Sequence, residues 1–224
     1  NYEYVIAQSR SEFTEQSLSR LAQILLKNKE NDKAIPVLSR LENEADVSQN
    51  KTYAQSNLMK LYYNKKDYPN SGIYAEKVLM NPKADDNVKS DAQIIIARAA
   101  IETGDEAKAK VAYAKVLAIA KGELAAEALY YDAYFKNKEG KFEASNAAVQ
   151  KIAKNYSSYK YFGAKGLILM AKNFYGLKDS YQATYILENV IQNFTDYPDV
   201  VSEAKTELNA IKTEEAKTNS SITK

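Results

Sequence analysis

The sequence predicts an all-α protein, namely an α-solenoid of about five helix pairs closed by a C-terminal capping helix. Three observations predict this fold class. Only 7 Gly and 4 Pro occur in 224 residues, too few for the many tight turns of a sandwich or barrel. Ala, Leu, Lys, Glu and Gln, which favour helix, are abundant. A pattern of small and apolar positions also recurs along the chain at nearly constant spacing.

The recurring pattern is centred on a small residue, followed by apolar residues four and seven places later. In the stretch GDEAKAKVAYAKVL the small residue is Ala109, followed by Tyr113 and Val116. We call the equivalent small residues the anchors, and their spacings are 37, 38, 36 and 38 residues: Ala34, Ser71, Ala109, Ser145 and Ala183.

Two further positions repeat in the same register. Twelve residues before the anchors stand Ala22, Met59, Ala97, Ala133 and Ala171. Nine residues before them stand Leu25, Tyr62, Ala100, Lys136 and Phe174. In the fourth repeat, Lys136 falls in a slot that is apolar elsewhere, so two registers remain open there. In the second register the buried face carries Tyr131, Tyr134 and Phe135.

Each repeat is predicted to be a pair of amphipathic helices, joined by turns such as ETGDE and KEGK. Antiparallel helices approach closely only where small residues meet, and larger residues four and seven places on fill the gap to the next pair. A single pair cannot bury both of its faces, so the pairs must stack. The predicted repeats are 15–47, 48–84, 85–121, 122–158 and 159–195.

The predicted helices follow from this register. Residues 1–14 are expected to be the remnant of a preceding repeat helix, residues 196–215 a capping helix, and residues 216–224 a disordered tail. Pro82 and Pro198 lie between repeats, where a missing amide donor is tolerated. The predicted helices are 1–12, 15–28, 32–44, 48–64, 68–80, 86–103, 105–120, 123–138, 141–155, 159–176, 179–193 and 198–215.

Composition excludes several classes of function. The net charge of +2 leaves no basic footprint for nucleic acid. Because Cys and His are both absent, thiolate chemistry, His-based triads and the usual zinc sites are excluded. The remaining candidates for acid–base catalysis are carboxylates in charged or turn-like segments, which we expect to be solvated: Asp85–Asp86, Glu42/Glu44 and Glu214–Glu215. We therefore expect no catalysis, cofactor, metal site or transmembrane segment.

The pattern of a small residue in one helix, followed by an alanine and an aromatic residue in the next, resembles the tetratricopeptide repeat (TPR). The resemblance covers residues 15–195, although Trp is absent and the period is about 37 instead of 34 residues. It implies a right-handed superhelix that binds a peptide or partner subunit on its concave surface. Segments such as KNYSSY and QNFTDYP are similar to bacterial cell-envelope TPR proteins. That similarity implies the periplasm or the outer membrane as the location, with the cytoplasm as the alternative. Because the chain begins at Asn1 within the helix-like pattern YEYVIAQSR and without an initiator Met, we expect a fragment of a larger protein.

Eighteen tyrosines are the unusual feature of the composition. Tyrosine suits partner binding because it combines a large ring with a hydrogen-bonding tip. The first helix of each pair faces the concave side in the implied fold. The predicted groove therefore contains Tyr53, Lys60, Tyr63, Ile94, Arg98, Tyr130, Tyr134, Ile168, Lys172 and Tyr175. The alternative function is a small-molecule or glycan-binding module of a nutrient-uptake lipoprotein, in which rings stack on sugars.

Overall fold

The computed structural model describes residues 2–7 and 10–222, and within these residues the chain forms twelve helices and no strand. The helices are α1 (Tyr2–Ala7), α2 (Thr14–Lys27), α3 (Asn31–Glu44), α4 (Ser48–Asn64), α5 (Tyr68–Met80), α6 (Asp86–Glu102), α7 (Glu106–Ile119), α8 (Gly122–Lys138), α9 (Phe142–Asn155), α10 (Lys160–Gly176), α11 (Ser180–Asn193) and α12 (Pro198–Ile222).

The predicted all-α fold class is confirmed, because helices that follow one another in the chain pack against each other. The chain divides into two compact units, Asn1–Lys115 and Val116–Lys224. In the N-terminal unit, α2 to α6 pack consecutively and α4 also contacts α6. In the C-terminal unit, α8 to α12 pack consecutively, α8 contacts α10, and α10 contacts α12. First helices of successive pairs therefore touch within each unit.

One turn geometry joins the two helices of all five pairs. The first helix ends in a Schellman motif: Glu30 N–H donates to the Leu25 carbonyl at 2.8 Å and Lys29 N–H to the Leu26 carbonyl at 3.0 Å. The turn residue has a positive φ in every pair: Lys29, Lys66, Gly104, Gly140 and Lys178. The 6→1 acceptor is always the residue nine places before the anchor: Leu25, Tyr62, Ala100, Lys136 and Phe174.

The anchors lie in the interior. All five anchors, and all five residues twelve places before them, have no exposed surface. In two pairs the anchor forms a hydrogen bond with the residue twelve places before it. Ser71 Oγ donates to the Met59 carbonyl at 3.0 Å, and Ser145 Oγ donates to the Ala133 carbonyl at 2.7 Å. The fourth repeat therefore follows the first of the two registers, although Phe135 is buried as well.

The chain ends differ from the expected pattern. Helix α1 is described over Tyr2–Ala7, and residues 10–13 are not helical, so the predicted helix 1–12 does not reach residue 12. Helix α12 continues to Ile222, so residues 216–222 form helix where we predicted a disordered tail. The segment contains no Gly or Pro, and each further helical residue adds a backbone hydrogen bond. Residues 1, 8, 9, 223 and 224, which the remnant and tail predictions also include, lie outside the described residues.

Among the described residues, no helix combines the length and the apolar character that crossing a membrane requires.

Candidate binding surface

The predicted groove residues of the N-terminal unit do not form one open surface. Lys60 on α4 forms an ion pair with Asp91 on α6 at 2.6 Å. This ion pair links the first helices of two successive helix pairs. Tyr53 packs against the core cluster of α2–α4, and the Tyr63 ring lies 5.8 Å from that of Tyr68. Ile94 is only 3% exposed and presents no surface to a partner.

Arg98, the remaining predicted groove residue of this unit, is partly buried on α6.

The predicted residues of the C-terminal unit are also partly engaged. Tyr130 and Tyr134 pack against a core cluster that includes Ala133 and Leu169. Ile168 is 1% exposed, and Tyr175 packs partly buried against the core of α10–α12.

Lys172 on α10 is held by two carboxylates of α12. Its Nζ lies 2.8 Å from Glu207 Oε1 and 3.9 Å from Glu203 Oε1. This lysine therefore stabilises the contact between α10 and α12, and its charge is already compensated.

The structure instead shows a continuous row of rings across α8, α10 and the start of α12. Tyr130 lies 6.2 Å from Phe162, Phe162 lies 5.3 Å from Tyr161, and Tyr161 lies 5.7 Å from Tyr197, measured between ring centroids. On α8, Tyr131 lies 5.1 Å from Tyr130 and 6.1 Å from Tyr134. We call this set the aromatic band: Tyr130, Tyr131, Tyr134, Tyr161, Phe162 and Tyr197.

Two members of the aromatic band, Tyr130 and Tyr134, belong to the groove predicted from the sequence, and the other four do not. Tyr161 and Phe162 occupy the first turn of α10, whereas the projected groove began further along that helix, at Ile168. Tyr197 lies in the turn before α12, and the sequence predicted only a capping role for that segment. The sequence does contain a pattern that points to Tyr161. Tyr161 and its partner Asp199 are separated by 38 residues, which is the spacing between repeats.

Two carboxylates accompany the hydroxyl groups of the band. The Tyr161 hydroxyl donates to Asp199 Oδ2 at 2.9 Å, and burial together with this contact raises the pKa of Tyr161 to about 12. Burial also raises the pKa of Tyr130, and the charge of Glu203 adds to that effect. Both phenols are therefore neutral at physiological pH. The Tyr161 hydroxyl donates its proton to Asp199 and can accept a further hydrogen bond, whereas the Tyr130 hydroxyl can donate or accept.

The two lysines of α10 beside the band are paired. Lys165 forms an ion pair with Glu203 on α12, and its Nζ lies 5.9 Å from the centroid of the Tyr130 ring. With Lys172 also paired, the surface around the band combines apolar rings, neutral hydroxyls, compensated lysines and the Asp199 carboxylate, which accepts from the Tyr161 hydroxyl. Such a surface suits a ligand that carries neutral hydrogen-bonding groups.

The carboxylates considered for catalysis have structural partners or lie in helix termini. Asp85 Oδ1 accepts from the Val88 N–H at 2.9 Å and caps α6. The expectation that Glu42 is solvated is wrong: it is 5% exposed and accepts from Gln55 Nε2 at 3.2 Å and Lys77 Nζ at 2.7 Å. Helices α4 and α5 enclose it and supply these donors.

Over residues 2–7 and 10–222, no group of three or more His, Cys, Asp or Glu is placed to hold a metal ion.

Besides the aromatic band, the described residues form several cavities, two of which are lined mainly by apolar residues. The first, of about 570 Å³, lies in the N-terminal unit between α5, the end of α6 and the start of α7. The second, of about 360 Å³, lies in the C-terminal unit between α9, α10 and the end of α11, and Gly163 is part of its lining. Both volumes fall in the range of ordinary ligand pockets.

Comparison with protein-family models gave no match, and comparison with curated proteins gave none either.

Proposed function

We propose that this chain is a non-catalytic interaction module that binds an extended segment of a partner polypeptide along the aromatic band. The observation that carries the proposal is the row of rings from Tyr130 through Phe162 and Tyr161 to Tyr197. Tyrosine is enriched at protein interfaces because its ring buries much area while its hydroxyl forms hydrogen bonds.

The electrostatics of the band favour a polypeptide over a strongly charged ligand. Lys165 is paired with Glu203 and Lys172 with Glu207, both on α12, so neither lysine offers an uncompensated charge. A polypeptide backbone is neutral and alternates donors with acceptors, which matches the phenol hydroxyls. The band also runs across α8, α10 and the start of α12, which belong to successive helix pairs and the helix after them, and this length suits an extended segment.

The cell-envelope location belongs to the same proposal. It rests on the resemblance of segments such as KNYSSY to envelope TPR proteins.

Photocrosslinking tests the binding proposal. Benzoylphenylalanine replaces Tyr131, whose ring contacts other rings of the band, and in a second protein it replaces Tyr161. After irradiation in a native extract, mass spectrometry should map both crosslinks to one contiguous segment of the same partner. The matched control carries the crosslinker at Lys151, an exposed residue of α9.

Crosslinking at positions 131 and 161 that does not exceed the yield at position 151 would contradict the proposal. Crosslinks scattered over many unrelated proteins would contradict it as well, because a specific site selects one partner.

A second candidate function, glycan binding, is favoured by one separate observation. Tyr181 and Tyr185 on α11 are 78% and 55% exposed, and their rings stack at 6.4 Å with an interplanar angle of 13°. Exposed ring faces are what stacking on a sugar requires. Titration with oligosaccharides should then change the tyrosine fluorescence, and Tyr181→Ala should abolish that change. Unaltered fluorescence at saturating sugar would exclude this candidate.

A further inference from the structure

The cavity of the N-terminal unit has an apolar lining that includes the small residues Gly72, Ala99 and Ala100. Its lining includes Tyr68, Gly72 and Ile73 from α5, and Ile96, Ala99 and Ala100 from α6. Ile73 is 53% exposed and opens the cavity to solvent, whereas Ile96, Ala99 and Ala100 of α6 are 9%, 8% and 3% exposed and form its buried floor. We call this cavity the Ala100 groove.

The groove exists where the repeat pattern lacks a large side chain. Ala100 stands nine places before the anchor Ala109, and the other four repeats carry Leu25, Tyr62, Lys136 and Phe174 at that position. In those repeats the side chain fills space: Leu25 belongs to a core cluster, and Tyr62 stacks on Tyr74 at 5.6 Å. An alanine leaves this space empty in the third repeat.

A glycine keeps the other wall open. Gly72 lies inside α5, where glycine lowers helix stability by about 1 kcal/mol relative to alanine. A Cβ added at Gly72 would meet nothing within 4 Å, so no packing contact requires glycine there. The absence of a side chain at Gly72 and of any atom beyond Cβ at Ala100 therefore leaves a socket that a large side chain can enter.

The rim of the socket is acidic. Glu76 and Asp105 line it, and Glu102 accepts a hydrogen bond from the Tyr68 hydroxyl at 3.3 Å. In the described part of the chain, none of these three carboxylates forms an ion pair with a basic side chain, although Asp105 Oδ1 accepts from the Lys108 N–H at 3.0 Å at the start of α7. Lys108 is the single basic residue of the lining. The excess of negative charge favours a ligand that carries positive charge beside its apolar part.

We propose that the Ala100 groove is a second docking site, which receives a large apolar side chain of a partner polypeptide flanked by lysine or arginine. The apolar side chain fills the space above Ala100 and Gly72, and the flanking basic groups face Glu76, Glu102 and Asp105. This site lies in the N-terminal unit and is independent of the aromatic band.

Nuclear magnetic resonance of the whole ¹⁵N-labelled chain tests the proposal. The probe is a short acetylated peptide with phenylalanine between two lysines. Two comparison peptides replace either the lysines by glutamates or the phenylalanine by glycine. The first peptide should shift the amide signals of Gly72, Ala99 and Ala100. Both comparison peptides should bind at least about tenfold more weakly, because each lacks one half of the complementarity.

Two variants fill the groove from opposite walls. Ala100→Phe introduces an aromatic side chain, as in Phe174 of the fifth repeat, and Gly72→Leu fills the space from α5. Each should abolish the peptide-induced shifts. Gly72→Leu should also raise the melting temperature, since it removes a helical glycine. The matched control is Gly163→Leu, because a Cβ at Gly163 also meets nothing within 4 Å but lies in the other cavity.

The proposal fails if the peptide binds Gly72→Leu as well as it binds the wild type, a result that remains decisive even if Ala100→Phe does not fold. It also fails if the glutamate peptide binds as tightly as the lysine peptide, or if the shifted amides lie outside the groove. Loss of binding at the aromatic band, tested by the crosslinkers at positions 131 and 161, would leave these results unaffected.

Discussion

At the scale of single residues, the anchor serines show how a small polar side chain joins two helices. Ser145 Oγ donates to the Ala133 carbonyl at 2.7 Å and accepts from Asn173 Nδ2 at 2.9 Å. Asn173 is fully buried, and its amide also donates to Asn146 Oδ1 at 2.7 Å. Ser145 is therefore part of a buried polar network that connects α8, α9 and α10.

Replacing Ser145 by alanine should remove two hydrogen bonds and leave the Asn173 amide with fewer partners. We expect the free energy of unfolding to fall by about 1–3 kcal/mol, measured by urea denaturation. Ser71→Ala is the matched comparison, since Ser71 Oγ donates a single bond to the Met59 carbonyl. Its effect should be smaller, and equal effects would mean that the Asn173 network adds no stability.

The neutral phenol of Tyr161 should make stability depend on alkaline pH. The pKa of Tyr161 is raised to about 12 by burial and by Asp199, with Glu203 and Tyr131 adding to the effect. An unfolded tyrosine ionises near pH ~10, so the unfolded chain loses its proton first. The stabilising contribution is therefore complete below pH ~10 and is lost as the pH rises towards the folded pKa.

Circular dichroism followed between pH ~9 and pH ~12, together with tyrosinate absorbance, checks this expectation. Tyr161→Phe should lose stability less steeply across that interval than the wild type. Tyr185→Phe is the control, because this exposed tyrosine lies on α11 outside the aromatic band. Identical pH profiles for Tyr161→Phe and the wild type would contradict the assignment.

At the scale of elements, the turn inside each helix pair is the most regular feature of the chain. The same two backbone hydrogen bonds end the first helix five times, and the residue between them always has a positive φ. Glycine adopts this conformation without strain, whereas another residue is destabilised by roughly 1–2 kcal/mol. The turns at Lys29, Lys66 and Lys178 therefore carry strain that the turns at Gly104 and Gly140 avoid.

Lys178→Gly should stabilise the protein for this reason. Part of the relieved strain is offset by the larger entropy of glycine in the unfolded chain, so we expect a net gain of about 0.5 kcal/mol. Thermal unfolding followed by circular dichroism measures it. The control Lys151→Gly places glycine inside α9 and should destabilise by about 1 kcal/mol. A loss of stability in Lys178→Gly would show that the lysine side chain stabilises the turn.

The anchor in α7 offers a direct test of helix packing. Ala109 has no exposed surface, so a larger side chain there must displace its neighbours. Ala109→Leu should destabilise the protein by roughly 1–3 kcal/mol in urea denaturation. The control Ala107→Leu alters an exposed position of the same helix and should stay within about 0.5 kcal/mol of the wild type. A neutral Ala109→Leu would show that the anchor does not lie at a helix crossing.

At the scale of the whole molecule, each unit has its own apolar core. One cluster joins α2, α3 and α4 around Leu18, Leu38 and Leu58. Another joins α10, α11 and α12 around Leu187 and Leu208. In a stack of helix pairs each element contacts its neighbours, so stability is expected to be local.

Leu187→Ala should therefore weaken one part of the chain more than another. Leu187 is fully buried, and its truncation should remove about 2–5 kcal/mol from the local stability. Native-state hydrogen exchange should become faster in α10–α12, while the amides of α2–α4 serve as the internal reference. Equal acceleration in both regions would indicate that the chain unfolds in a single cooperative step.

The sequence by itself determined the helices, the turns and the anchors, because these depend on residues that are close in the chain. Small residues at Ala34 and Ala183, with apolar residues four and seven places on, were enough to predict what is buried. Two predictions failed. Glu42 is buried because a donor from another helix, Lys77 of α5, pairs with it. Residues 216–222 continue the helix because no Gly or Pro ends it there.

Only the tertiary structure decided which side chains meet across successive pairs. Tyr161 with Asp199 and Lys165 with Glu203 are 38 residues apart, and Tyr130 meets Phe162 across two helices. These contacts depend on how each helix is rotated about its axis and which turn of it faces the next pair. The periodicity of the sequence leaves that rotation and offset open, whereas side-chain packing in the folded chain selects one of them.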